Sequence, residues 1–127
     1  MKHRTLIAAA CALAAFTTLA PSANAQTREV RIGRTVSVDG LRIRPIALVE
    51  DSRCPMNARC VWAGRVVVRV AISGRGRPAT RLLTLGEPVQ HAGGRLSLVA
   101  AEPNRMAGEP QAPRSAYRFA FDYQRGR

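Results

Sequence analysis

Lysine occurs in this 127-residue chain only at position 2, and histidine only at positions 3 and 91. Cysteine occurs three times and tryptophan once. The scarcity of histidine leaves a histidine-based catalytic centre very few places to stand. No Gly-x-Ser-x-Gly is present, so the strand-to-helix turn that exposes a hydrolase serine is missing. Beyond residue 20 no apolar run approaches the roughly 20 residues a membrane-spanning helix needs. The arginines are scattered singly, and no block of them resembles a nucleic-acid-binding tail. There is no internal repeat and no linker between domains.

The N-terminus carries its own order. Met1-Lys2-His3-Arg4 is basic, Thr5 to Ala20 is apolar, Pro21-Ser22 breaks the run, and Ala23-Asn24-Ala25 supplies small residues. This order predicts a secretory signal over residues 1–25, cut before Gln26. The apolar run is too short for an anchor, and no cysteine follows the cut to take a lipid. The expected product is one domain, residues 26–127, periplasmic or secreted and not membrane-spanning.

Lys2 and Arg4 leave with the signal, so 18 of the 20 basic residues remain against all 8 acidic ones, a net charge of +10. Export removes intracellular nucleic acid as a partner. A protein partner or an anionic envelope component remains, beside the plainer reading of a solvated basic surface.

The dominant sequence period is two, with turn signals at short spacing, which predicts an all-β domain. Val30 and Ile32 alternate with Glu29 and Arg31. Val36 and Val38 lead to Asp39-Gly40, a strong hairpin signal. Leu41 and Ile43 then face opposite to Arg42 and Arg44. The pattern slips at Pro45, where a bulge is expected, and Ile46 and Leu48 continue the apolar face. A long strand is expected from Cys60 to Ile72, with Cys60, Trp62, Gly64, Val66, Val68, Val70 and Ile72 on one side. Arg65, Val67, Arg69 and Ala71 take the other. Thr80 to Leu85, Arg95 to Ala101 and Tyr117 to Tyr123 complete about seven strands. The fold class is therefore a single small antiparallel β-sandwich or open barrel with one disulfide. Tyr117, Phe119, Phe121 and Tyr123 could form a ligand platform, but at period two they read as core. Pro103 to Ser115, broken by three further landmarks at Gly108, Pro110 and Pro113, predicts a disordered loop with no dedicated role.

An exported chain with two cysteines predicts a Cys54–Cys60 bridge. It would staple a tight connection with Pro55, Met56, Asn57, Ala58 and Arg59 at its tip. Trp62, on the side of Cys60, is expected to cover the sulfurs and anchor the corner in the core. Asp51 and Ser52 are expected to accept backbone N–H groups of the turn. The candidate binding loop is Arg53, Pro55, Met56, Asn57 and Arg59. The candidate basic face is Arg42, Arg44, Arg65 and Arg69.

Asp51-Ser52-Arg53-Cys54-Pro55, four residues, then Cys60-Val61-Trp62-Ala63-Gly64 resembles a motif of small exported bacterial proteins of unknown function, including hypothetical lipoproteins. It covers 14 residues. The resemblance implies export and the bridge, and no activity. The chain departs from the lipoprotein members by lacking their lipid-bearing cysteine.

Chemical alternatives are poorly supported. Cys54, Cys60 and His91 lack a zinc-site spacing. Met56 and His91 are only two soft ligands for copper. His91, the sole histidine after the signal, lies in a loop-like stretch and reads as solvated rather than as a hydrolase base. Glu50 and Asp51 are adjacent on a strand and point to opposite faces, unlike a glycosidase pair. The expected function is a non-catalytic binding or structural β-domain without cofactor or metal. The alternatives are a protease-inhibitor-like loop carrying Arg59 or Met56, then a metal carrier or small hydrolase.

Overall fold

The computed structural model describes residues 28–127; the expected signal over residues 1–25 lies outside the described residues. Eight strands form two four-stranded antiparallel sheets. They are β1 (Val30–Arg31), β2 (Val36–Val38), β3 (Leu41–Asp51), β4 (Val66–Ser73), β5 (Ala79–Thr84), β6 (Val89–His91), β7 (Gly94–Glu102) and β8 (Arg118–Arg125). One sheet has the order β1-β8-β7-β6 and the other β2-β3-β4-β5. The chain is a meander that crosses between the sheets twice, after β1 and after β5. Both crossings are tied down by the backbone. Gly33 N donates to Pro45 O (2.8 Å), and Gly86 N donates to Leu98 O (3.0 Å). This is a small β-sandwich, and no helix of the described residues is long and apolar enough to cross a membrane.

Alternation supplies the core. Val66, Val68, Val70 and Ile72 of β4 are buried, as are Leu41 and Ile43 of β3 and Leu96 and Leu98 of β7. Tyr117 and the β8 residues Phe119, Phe121 and Tyr123 fill the middle, so the aromatic row is core. Val67 stands on the outer side of β4, yet it is only 6% exposed, flanked by Glu50 and Thr84 on the neighbouring strands.

The slip near Pro45 is a bulge, but its extra residue is Ile46. Pro45 pairs with Val70 and Ala47 with Arg69, so Pro45 stays buried and Ile46 turns outward. Two more bulges leave Val49 and Val99 unpaired between Leu48 and Glu50 and between Leu98 and Ala100. An inserted residue flips the parity of everything after it. That explains why Ile46, Val49 and Val99, all aliphatic, are exposed.

The strand unforeseen in the sequence is β6. His91 lies on it, buried rather than solvated, with its Nε2 unpartnered. Three residues are too few to show a period. The β6–β7 turn also hides its chemistry, because Ala92 adopts φ 47° and Gly93 φ 77°. The Asp39-Gly40 turn does the same with φ 46° and 85°, using residues suited to it. Alanine in the left-handed region costs about 1–2 kcal/mol. Exposed Ala92 is therefore a stabilisation site: Ala92→Asn is expected to gain about 1 kcal/mol. Urea unfolding checks it by an upward shift of the midpoint at constant slope; an unchanged or lower midpoint would show that the turn carries no such strain.

Candidate functional site

The Cys54–Cys60 disulfide is formed, with the Cα atoms 5.8 Å apart. It closes a corner between the end of β3 and the start of β4. The expected strand does not reach back to Cys60; β4 begins at Val66. Gly64, at φ +66°, is the reason. A left-handed residue ends extended backbone, and the count by twos that placed Trp62 beside the valines fails across it.

The corner is built around Asp51, whose side chain is 0% exposed. Arg53 forks onto it: Nε donates to Oδ1 (2.9 Å) and Nη2 to Oδ2 (2.8 Å). The Arg53 backbone N–H adds a contact to Oδ1 (3.3 Å), the turn role expected of Asp51. Tyr117 OH donates to Oδ2 (2.7 Å). Burial raises the Asp51 pKa, but the hydrogen bonds from Arg53 and Tyr117 and the guanidinium charge outweigh it, leaving the carboxyl below its ordinary range. Asp51 holds Arg53 above its ordinary range. Burial, then the Asp51 carboxylate, pushes the Tyr117 hydroxyl up.

Arg53 is thus a structural residue and leaves the binding-loop set. Its remaining donors reach across the sandwich, Nη1 to Ala101 O (2.9 Å) and Nη2 to Pro103 O (2.8 Å). The loop from Pro103 to Ser115 is correspondingly not a free tether. Arg105 Nη1 donates to Arg53 O (3.0 Å), Arg105 O accepts from Met56 N (2.8 Å), and Asn57 pairs through its amide with both Ala107 N and Ala107 O. Ala112 packs against the core, and Arg114–Ala116 form a single 3-10 turn. The partners of this loop lie about 50 residues away in sequence, so local composition gave no sign of them.

Ser52 closes the other side. Its backbone N–H donates to Arg65 O (2.9 Å), and its Oγ accepts from Arg65 N (3.0 Å) and donates to Glu50 Oε1 (3.0 Å). Arg65 Nε donates to Glu50 Oε2 (2.8 Å). Hydrogen bonds from Ser52 and Arg65 hold the Glu50 carboxyl below its ordinary range. Arg65 is exposed, and of the four expected basic-face arginines it alone pairs with a carboxylate among the described residues, that of Glu50. Arg42, Arg44 and Arg69 stay on the outer side of the β2–β5 sheet, opposite Ser73, Ala71 and Ala47.

Trp62 contradicts expectation most clearly. It does not cover the disulfide from within the core: it is 59% exposed, with Nε1 reaching Ser52 O at 3.4 Å, and Val61 beside it is 99% exposed. Eight large hydrophobic side chains are exposed in this sandwich. Three are the bulge residues, and Leu82 lies on the edge strand β5. The remaining four, Met56, Val61, Trp62 and Met106, belong to the stapled corner and the loop hydrogen-bonded to it. No sequence period could separate them from core residues, because they lie outside the regular strands.

His91 and the corner occupy opposite ends of β7. His91 pairs with Gly94, and the corner grips Ala101. Seven residues of extended strand separate these positions, about 23 Å at roughly 3.3 Å each. Glu50 and Asp51 do point to opposite sides, one to Ser52 and Arg65 and the other to Arg53 and Tyr117. Among the described residues no group of three or more His, Cys, Asp or Glu gathers where an ion could be held.

Comparison with protein-family models, curated proteins and solved structures finds no match.

Proposed function

We propose that this chain is an exported, non-catalytic β-domain that binds a protein partner through its stapled corner, in the periplasm or outside the cell. A disulfide fits an oxidising compartment. The motif resemblance to small exported bacterial proteins supports export; in this chain Asp51, Arg53 and Gly64 build the corner that presents Val61 and Trp62.

The observation that carries the reading is the exposure of Trp62 and Val61 on a short segment bounded by the disulfide at Cys60 and by the Ser52–Arg65 hydrogen bonds. Tryptophan is the residue type most enriched at the energetic centres of protein interfaces. The corner is also held in one shape before binding, by the bridge, by Ser52–Arg65 and by the Asp51–Arg53 fork. Preorganisation lowers the entropy cost of association. The inhibitor-like alternative fits less well. Met56 N–H is committed to Arg105 O and Ala58 N–H to Pro55 O, so this loop turns back on itself rather than offering a free extended strand.

The test compares Trp62→Ala and Val61→Ser with the unaltered protein. Because both side chains are exposed, each is expected to change unfolding free energy by less than about 1 kcal/mol. Each should nevertheless abolish the retention of a specific protein from envelope or culture-medium extract on the immobilised domain. A stability loss of about 3–5 kcal/mol for Trp62→Ala would make Trp62 a core residue. Identical retention by variant and parent would remove the corner as the binding surface.

A further inference from the structure

The outer face of the β2–β5 sheet carries a groove of about 470 Å³ whose lining includes Arg42, Arg44, Thr35, Ser73, Thr80 and Ala71. The sheet register explains it. Arg44 of β3, Ala71 of β4 and Thr80 of β5 form one cross-strand row, and Arg42 and Ser73 belong to the next. Long side chains on β3 therefore stand beside short ones on β4 and β5, and the difference in length is the groove. It is open to solvent, and Ile72, Pro78 and Ala79 complete its lining.

Charge is unbalanced there. The ion pairs among the described residues consume Arg53, Arg65, Arg118 and Arg125 against Asp51, Glu50, Glu29 and Asp39. Arg42 and Arg44 are in none of them, and no acidic side chain lines the groove. Two guanidinium groups two residues apart on one strand project to the same side. Across the small floor stand hydroxyl groups that donate hydrogen bonds. Planar guanidinium forks match phosphate oxygens two at a time, and hydroxyls serve the remaining ones.

We propose that this groove is a site for a phosphoryl dianion, held by Arg42 and Arg44 with the hydroxyls of Ser73, Thr80 and Thr35. It is separate from the corner and independent of the corner's role. The phosphoryl group is either free, on a soluble phosphate ester, or displayed by a lipid headgroup.

The experiment titrates the purified protein with inorganic phosphate at constant ionic strength and follows backbone amide signals. In a second arm, phosphatidylcholine vesicles carry phosphatidic acid, against vesicles carrying phosphatidylserine at equal charge. Inorganic phosphate is expected to shift Ala71, Ser73 and Thr80. Arg42→Gln with Arg44→Gln should weaken binding by about tenfold or more, the scale of one lost charge-assisted hydrogen bond. Arg31→Gln with Arg95→Gln removes equal charge from the other sheet and should leave affinity within about twofold, since charge so far away is screened. Ala71→Leu fills the floor without altering charge and should also abolish binding. Binding in both arms, lost in the Arg42/Arg44 pair, identifies the phosphoryl group itself. Binding to phosphatidic acid vesicles alone, lost in the same variants, identifies a lipid headgroup. Equal loss in the two arginine pairs, undiminished binding in Ala71→Leu, or no binding in either arm would overturn the proposal.

Discussion

Asp51→Asn is expected to destabilise the domain by about 3 kcal/mol, the scale of a buried ion pair broken from one side. The Asp51 side chain is 0% exposed and that of Arg53 16% exposed, so water replaces only part of what is lost. The asparagine amide is nearly the same size, so the loss measures charge and hydrogen bonding rather than a cavity. Arg53 would keep its two carbonyl partners while its charge lost its counterion. The Tyr117 hydroxyl would face a neutral group in place of a carboxylate. The two sides of the pair should also be strongly coupled: combining Asp51→Asn with Arg53→Met should cost clearly less than the sum of the single changes. A loss under about 1 kcal/mol, with additive singles, would mean the fork is ornamental.

The same pair sets an acid limit. An unfolded aspartate titrates near about 3.9. In the fold Asp51 titrates lower. On acidification the unfolded chain binds the proton first, so stability is complete above the ordinary carboxylate range. It falls as pH drops below about 4 towards the folded pKa. Glu50 shifts in the same direction at an exposed position, so Asp51→Asn should flatten this acid slope without abolishing it. Denaturant unfolding at a series of pH values from neutral down to about 2.5 reads both effects.

Regular strands were legible in the sequence because period two is a local property. Leu41 to Arg44, Val66 to Ile72 and Tyr117 to Tyr123 each declare a buried face within a few residues, and Asp39-Gly40 names its own turn. The count failed wherever backbone departed from extension. Ile46, Val49 and Val99 invert the phase at bulges, and Ala92 makes a hairpin turn without a turn-forming side chain. The candidate site divided in the same way. The bridge followed from two cysteines and the expectation of export, and Asp51 was placed correctly because its turn contact with the Arg53 N–H is local. The rest of its coordination was out of reach. Tyr117 lies 66 residues from Asp51, and Arg53 meets Ala101 and Pro103 only after the sheets have paired. Distance in sequence also concealed the docking of Pro103 to Ser115, which composition alone presented as loose.

Gly64 is where the two kinds of failure meet, and Gly64→Ala is expected to destabilise the domain by about 3 kcal/mol or more. The left-handed conformation alone costs alanine about 1–2 kcal/mol. The larger cost is steric. A Cβ at Gly64 would overlap the carbonyl of Ser52 and press on the Cα of Arg53, and both are backbone rather than yielding side-chain ends. To make room, the 60–65 segment must move away from the end of β3. That movement strips Ser52 of its contacts with the Arg65 backbone and tilts the frame that holds Asp51 and Arg53. Cys54–Cys60 remains bonded, so the loop stays closed while its seat is lost. Urea unfolding should therefore show a reduced midpoint. Hydrogen exchange should quicken most at Ser52 and Arg65, ahead of Val68 and Val70 in the core. A neutral result would mean that the close approach at Ser52 is easily relaxed and that the glycine merely tolerates the turn. The expected result makes Gly64 the residue that keeps β4 from extending back towards Cys60 and that aligns the corner.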